Sequence, residues 1–478
     1  MELGKTKQCL TYLSSYSILS PMAKNITRSD DWKLDHSNQL PVILNTLQIY
    51  RDFVQCLVGI VYANWADIGK ISNSNYRQTF VEKLIHSTKN NKAKYSIFDK
   101  RFYKFPSYFR RAAISAAIGV VSSFVSRYNK WQGGIRRWKD EKPPKLTAKT
   151  NLFPSLYSYN CILYYEESVE IKVFKDNDWK WISLPILKKG KRHLKHKALA
   201  PFLIVRGQKV FLSVPFNIIV TKENAPDLQK DPVACFDLGI NHGAVGSILH
   251  SNGTVTARQF IDRAADIDRR DRRLSLIRSK AKKSMGKKGK LTEGFCRGLY
   301  RKSTNINREI AQRLANEIVE FALAHGASVI VFEHLKGFRP RGGRKGSTLR
   351  QRFHGWLHRR VVQLVENKME ELGKRVYFVD PRGTSKYAYD GSGEVKRDKK
   401  NYSIARFPNG KEYHSDLSSS YNIGARYFHT LMFRERHKSR RDRKSLLGPR
   451  MPVTLSSLWE VSHNDARREA PSISEESC

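Results

Sequence analysis

The stretch "VACFDLGINHGAVGSIL", residues 233–249, runs apolar for four residues and then meets a lone carboxylate, Asp237, before a glycine turn. Aspartate is depleted in strands, and an unpaired buried charge is costly, so Asp237 needs something to compensate it. Working outward, "AVGSIL" reads as a second strand, and "HSNG" at 250–253 is an Asn-Gly turn into a third, "TVTARQF". A long basic helix is expected from about Ile261 to Lys283, with "GKKGK" at 286–290 interrupting it. "INREIAQRLANEIVEFALAHG" is a helix with Ile306, Ile310, Leu314 and Ile318 on one face and Gly326 at its C-terminus. "SVIVFE" is a fourth strand, "WLHRRVVQLVENKMEELG" a helix, "RVYFVD" a fifth strand and "SSSYNIGARYFHTLMF" a last helix.

The order βββαβαβα matches an RNase H-like fold over residues 229–433. Three acids hold special places in it. Asp237 ends the first strand, Glu333 ends the fourth, and Asp416 stands just before the last helix. Neighbouring strands of one sheet would bring the three together, however far apart they are along the chain. Hydrolysis of a phosphodiester places negative charge on the entering and the leaving oxygen, and two divalent ions stabilise both. Hard oxygen ligands suit Mg²⁺ or Mn²⁺. Asp237 would bridge two such ions, with Glu333 and Asp416 holding one each. Taken singly, Asp237 also reads as a turn residue and Asp416 as an N-cap. Glu333, directly after Val-Ile-Val-Phe, has no turn role.

Composition points to a polyanionic partner. The 478 residues carry 87 Lys+Arg against 44 Asp+Glu, a formal net charge of +43. Such an excess repels itself unless nucleic acid neutralises it. At roughly 100–200 residues per domain, two to four domains are expected. Residues 46–150 read as a helical lobe, with "KDEKPPKLTAK" at 139–149 as its edge; 151–228 read as a β-rich domain carrying the basic loop "KKGKRHLKHK". Residues 1–45 form an N-terminal segment, and 434–478 a basic, then Ser/Glu-rich tail expected to be disordered. The six cysteines are scattered without a C-x-x-C pair, which suits a reducing compartment rather than a disulfide framework. The apolar run 112–125 is shorter than the about 20 residues of a membrane span and reads as a buried helix. No signal-peptide pattern with a clear cleavage site is seen, so a cytoplasmic protein acting without a membrane is the expectation.

"FDLGINHGAV", "VIVFEHLKG" and "SDLSSSYNIGARY" resemble the three RuvC motifs of TnpB nucleases and their descendants, the type V CRISPR effectors, and "VYFVDPRGTS" resembles the strand and Thr-Ser turn after the second motif. The likeness runs over about residues 231–430. Upstream only the domain order agrees: a helical recognition lobe, then a β-barrel-like wedge to which residues 1–45 would add a strand. The resemblance implies an α+β multidomain, RNA-guided DNA endonuclease. Its partners would be a guide RNA, either a CRISPR RNA or a transposon-derived one, and target double-stranded DNA beside a short flanking motif. Asp237, Glu333 and Asp416 would be its catalytic and metal-binding residues. Phosphate contacts are expected from Arg269, Arg270, Arg272, Arg273, Lys287 and Lys288, and from Arg339, Arg341, Arg344, Arg359 and Arg360.

The family's zinc-binding insert, placed here at about 381–413, departs from its pattern. Its four cysteine positions fall on Ala388, Gly391, Arg406 and Asn409, so a zinc-free loop held by Tyr387, Tyr389 and Phe407 is expected. Aromatics of the helical lobe, among them Tyr103, Phe105, Tyr108, Phe109, Trp131 and Trp138, serve either as core or as stacking platforms for bases. Three alternatives stay open: a nuclease-dead RNA-guided DNA binder, an RNase H-fold DNA-processing protein of a mobile element acting without guide RNA, and a plain nucleic-acid scaffold. The last explains the charge but not the three acids.

Overall fold

The computed structural model describes residues 23–134, 142–147, 152–221, 223, 227, 230–285, 291–335, 351–352, 355–398, 401–436 and 453–460. The chain divides into two compact units, Asn25–Ile219 and the chain from Val220 onward, to which Lys24 also belongs.

The first unit opens on strand β1 (Ala23–Leu34), followed by helices α1 (Leu40–Ala63), α2 (Trp65–Ile68), α3 (Ser74–Ile85), α4 (Ile97–Arg101) and α5 (Ser107–Gln132). Strands β2 (Ile162–Tyr164), β3 (Ser168–Lys175), β4 (Asp178–Lys188), β5 (Lys197–Ala198), β6 (Phe202–Arg206) and β7 (Lys209–Thr221) come next. The sheet runs β2-β3-β4-β1-β7-β5, with β6 also on β7. The N-terminal segment thus supplies a strand to the middle of the sheet. Helix α5 is longer than the apolar run seen in the sequence, and Phe109, Ala113, Ala117 and Val121 are buried in the core. Length and composition alone would let α5 cross a membrane; here one face of it packs into the core and the other is exposed.

The boundary expected at residue 150 is corrected. Leu47 and Val54 of α1 and Phe109 of α5 share one apolar cluster with Ile171 and Val173 of β3 and Leu212 of β7. The Phe174 N–H donates to Thr46 Oγ1 at 2.9 Å, tying the sheet to α1. The Pro-containing stretch marks a change of secondary structure, not of core, because neither α1 nor the sheet covers its own apolar face alone.

The second unit holds the strands read from the opening stretch. They are β8 (Val233–Leu238), β9 (Gly243–Leu249), β10 (Val255–Asp262), β11 (Val329–Glu333) and β12 (Arg375–Val379), in the spatial order β10-β9-β8-β11-β12. β8 and β9, and β9 and β10, are antiparallel; β8, β11 and β12 are parallel. Residues alternate across β8 and β11. Ala234, Phe236, Ile330 and Phe332 face the helices α6 (Ala264–Met285), α7 (Arg297–Ala324) and α8 (His358–Glu371), whose Ile267, Leu314 and Val365 close that core. Val233, Cys235, Val329 and Val331 face the last helix, α9 (Ser415–Arg436), through Ile423, Ala425 and Phe428.

Two local expectations change. α6 starts at Ala264, since Ile261 still pairs with Ala244 in β10 and Asp262 Oδ1 accepts the Ala264 N–H at 2.8 Å as a cap. The insert is a three-stranded sheet rather than a loop: β13 (Lys396–Arg397), β14 (Ile404–Arg406) and β15 (Glu412–His414). Ala388, Ala405 and Phe407 are its core. Tyr389 and Phe407 meet edge to face at 5.6 Å, as expected, but the third ring is Tyr413, not Tyr387, which instead lends its carbonyl to Asn422.

Candidate active site

Strand register brings the first two acids together. Val331 of β11 lies opposite Cys235 of β8, and two residues further along each strand come Glu333 and Asp237. Paired positions of parallel strands project to the same side, so both carboxylates share parity with Cys235 and Val331 and face α9. Asp416 sits in the first turn of that helix, where the helix dipole favours a negative charge. Its Oδ2 stands 3.7 Å from where a Cβ on Gly239 would lie, which places it beside the turn that follows Asp237. The approach of α9 to the sheet is close because residue 424 is glycine: a Cβ there would come within 2.7 Å of Cys235 Sγ and 2.4 Å of Leu249 Cδ2.

The electrostatics follow from this packing. Burial, then the charges of Glu333 and Asp416, push the Asp237 carboxyl well above the ordinary carboxylate range; a hydrogen bond from Ser419 and the charge of Arg397 oppose them. Glu333 is also pushed up, by burial and by Asp416, against a Thr384 hydrogen bond and the charge of Arg426. Like charges brought together out of water behave in this way.

Four supporting residues were not among the expected site residues. Thr384 donates to Glu333 Oε1. Asn422 donates to the carbonyls of Thr384 (3.0 Å) and Tyr387 (2.9 Å) and so fixes the turn that carries Thr384. Arg426, one turn along α9, holds Asp380 O at 2.6 Å beside Glu333. Ser419 reaches both Asp237 and Ser415 O. The signals were the Thr-Ser turn and "YNIGAR", both visible as sequence but without a role until the turn and helix are seen to meet.

The donor set is all oxygen and half-buried, which suits a hard divalent cation. Ser415 Oγ and Ser418 Oγ, flanking Asp416, are buried and bond no group among the described residues. Among those residues no three acid, imidazole or thiol groups are placed to cage a single ion.

The basic candidates divide. Arg269, Arg272, Arg359 and Arg360 are exposed, and Arg273 is half-buried with its guanidinium on Arg269 O at 2.9 Å. Arg270 is a correction: at 2% exposure it pairs with Asp271 (2.8 Å) and donates to Gly355 O (2.8 Å), so it cannot meet a phosphate. Lys287, Lys288, Arg339, Arg341 and Arg344 lie outside the described residues. In the helical lobe Phe105 and Phe109 are core, whereas Tyr103 is exposed; Trp138 lies outside the described residues.

Comparison with known proteins places these features in context. Residues 28–175 match a family described as the Aq_aa04 family. The TnpB-like protein aq_aa05 of Aquifex aeolicus (strain VF5) is 37% identical over 91 residues, 18% of this chain and 29% of that protein. The TnpB-like protein ORF457 of Acidianus two-tailed virus is 27% identical over 199 residues, 41% of this chain and 42% of that protein. The chain thus spans less than half the length of these curated relatives. Among solved structures, a Cas12f1–sgRNA–target DNA complex aligns with TM-score 0.49 at 13% identity, covering 81% of this chain and 82% of that one. The mini-RNA-guided endonuclease CRISPR-Cas_phi3 aligns with TM-score 0.43 at 12% identity, covering 87% and 94%.

Proposed function

We propose that this chain, which is similar over part of its length to TnpB-like proteins, is an RNA-guided DNA endonuclease whose acids Asp237, Glu333 and Asp416 cut in an RNase H-like, RuvC-type domain. The carrying observation is the register match of Asp237 and Glu333 on the sheet face that α9 covers, with Asp416 in the first turn of that helix. The strand order β10-β9-β8-β11-β12, with the second strand in sequence antiparallel to the first, supports the fold assignment. Guide RNA and target DNA are the proposed partners, and the excess of 43 positive charges supplies the attraction to both.

The residues divide the work. Asp237, Glu333 and Asp416 would hold two Mg²⁺ or Mn²⁺ ions, which when bound supply Lewis acidity at the entering and leaving oxygens. Thr384 fixes the Glu333 carboxylate and Asn422 fixes Thr384. Arg426 keeps a positive charge beside Glu333. Exposed Arg269 and Arg272 on α6, and Arg359 and Arg360 on α8, serve phosphates.

The test is cleavage of guided target DNA by protein expressed with RNA from its native locus. Wild type is expected to cut with Mg²⁺ or Mn²⁺ and to stop in EDTA. Asp237→Ala is expected to lose cleavage while retaining RNA and target binding, because affinity comes from base pairing and dispersed cations. Glu333→Ala and Asp416→Ala should match it without adding to it, each dismantling the same site. Wild-type cutting by Asp237→Ala would end this assignment. An intact protein that binds RNA and target but never cuts would favour the nuclease-dead reading.

A further inference from the structure

A cavity of about 420 Å³ opens at the carboxyl ends of β8, β11 and β12, on the face opposite α9 and against α8. That volume lies within the roughly 300–1,000 Å³ of small-molecule sites, and strand carboxyl ends are where open sheets bind ligands. Its walls are aromatic and aliphatic: Phe236, Leu238, Phe332, Phe378 and Val362. Glu333 lines it too, so the cavity and the acid site share one residue.

The polar groups at its rim narrow the ligand. Both ring nitrogens of His358 are buried and bond no group among the described residues, while the ring lies tilted by 38° against Trp356, with centroids 4.3 Å apart. Burial and neighbouring Arg359 push His358 down, toward the neutral ring with one donor and one acceptor. Burial and Glu370 push Glu366, also on the wall, up toward its neutral form. Arg359 also lines the space, but against the two carboxyl residues Glu333 and Glu366 it leaves no net positive charge to select a phosphate. Water gains little from walls this apolar. A flat, uncharged heteroaromatic ring with donor and acceptor on its edge satisfies both the walls and His358. In a chain with a net charge of +43 the partner that brings such rings is nucleic acid.

We propose that this cavity receives one nucleobase, turned out of the strand whose backbone meets the acids, with His358 on its edge and the phenylalanines on its faces. The proposal rests on the nuclease reading for the source of the base. Turning a base out costs least from single-stranded substrate, which is what a guide-displaced strand presents.

The test uses the full chain, freed of RNA at high salt and kept in EDTA so that nothing is cut. Fluorescence anisotropy would measure binding of a 12-nucleotide oligo(dA) and of the same backbone with every base removed. Stacking of one base is worth of order tenfold in affinity. Wild type is expected to prefer the base-bearing strand. His358→Phe, which keeps the ring but removes its edge, and Val362→Trp, which fills the space, are each expected to shrink that preference severalfold without changing affinity for the abasic strand. An unchanged preference in His358→Phe, with wild-type circular dichroism, overturns the proposal. Equal loss on both strands does so too, since it reports general damage. Guided cleavage by wild type is scored separately: a protein that never cuts, yet loses base preference in both variants, would retain the pocket and lose the nuclease reading.

Discussion

Arg270 and Arg272 stand on one helix, and the sequence treats them alike, yet burial separates their roles. Arg270 lies among Asp271, Asn307 and Gly355 at 2% exposure, whereas Arg272 is exposed. Breaking a buried pair by removing one partner costs about 3–5 kcal/mol. Arg270→Ala is therefore expected to lower the denaturation midpoint sharply. Arg272→Ala should leave it within about 0.5 kcal/mol, while reducing the log–log salt slope of DNA binding by roughly 0.9. A reversed pattern in chemical denaturation and salt titration would refute both assignments. Thr384 is the corresponding case among uncharged residues. Its hydroxyl bonds the Glu333 carboxylate and also Pro381 O at 3.0 Å. A hydrogen bond to a charged group contributes about 1.5–3 kcal/mol, so Thr384→Val is expected to slow cleavage about tenfold or more. Thr384→Ser, which keeps the hydroxyl, should restore most of the rate. Equal rates for the two variants would show that the methyl group, not the bond, matters.

Helix α9 shows how far elements were legible in the sequence. The helix itself and the β-strands that precede it can be read directly, but the sequence places Asp416 just before the helix, whereas the helix begins at Ser415 and holds Asp416 in its first turn. That Gly424 is needed cannot be read, because the need arises from Leu249 and Cys235, 175 or more positions away. Gly424→Ala is expected to cost about 1–3 kcal/mol by overpacking, seen as a lowered melting temperature. Legibility failed in the same way elsewhere. The shared core of α1 and β3 is non-local, and a proline-bearing connection looks like a domain edge whether or not a core crosses it. The insert read as a loop because its strands are two or three residues long, too short to show alternation. Asp390 offers a test of how that small sheet holds together. Burial pushes its carboxyl up, but hydrogen bonds from Ser392 and Asn409 and the charge of Lys411 outweigh this and leave it below the ordinary value. Asn409 Nδ2 reaches Asp390 Oδ2 at 3.0 Å and so joins the turn after Ala388 to the turn after Phe407. A depressed pKa gives stability that is fully present above the unfolded value and is lost as pH falls through the folded one. Hydrogen exchange around Tyr389 and Phe407 should therefore accelerate, after correction for intrinsic rates, as pH drops below the ordinary aspartate range. In Asp390→Ala it should be fast already at neutral pH. Protection independent of pH in the wild type would remove Asp390 from this role.

On the scale of the whole chain, the net charge of +43 makes stability depend on what surrounds the protein. Self-repulsion of like charges destabilises the compact state, and salt screens it, with a Debye length of about 10 Å at 0.1 M. A nucleic acid bound to the native state stabilises by mass action, in proportion to RT ln(1 + [L]/Kd), and salt weakens that binding steeply as counterions are released. The two effects have opposite signs. For protein stripped of nucleic acid, the melting temperature is expected to rise between about 50 and 200 mM salt, as repulsion is screened. For protein carrying RNA from its native locus, the melting temperature at 50 mM should exceed that of the stripped protein, and it should fall over the same range as roughly 10³-fold or more of affinity is lost for six or more phosphate contacts. The curves should then converge near the upper salt limit. Differential scanning calorimetry of the two preparations measures this directly, with absorbance at 260 and 280 nm to establish which holds RNA. Parallel curves would mean that the RNA is a passive contaminant with no preference for the native fold. A complex that gains stability with salt would show that its binding is not built on phosphate contacts, and the exposed arginines of α6 and α8 would lose their assigned part.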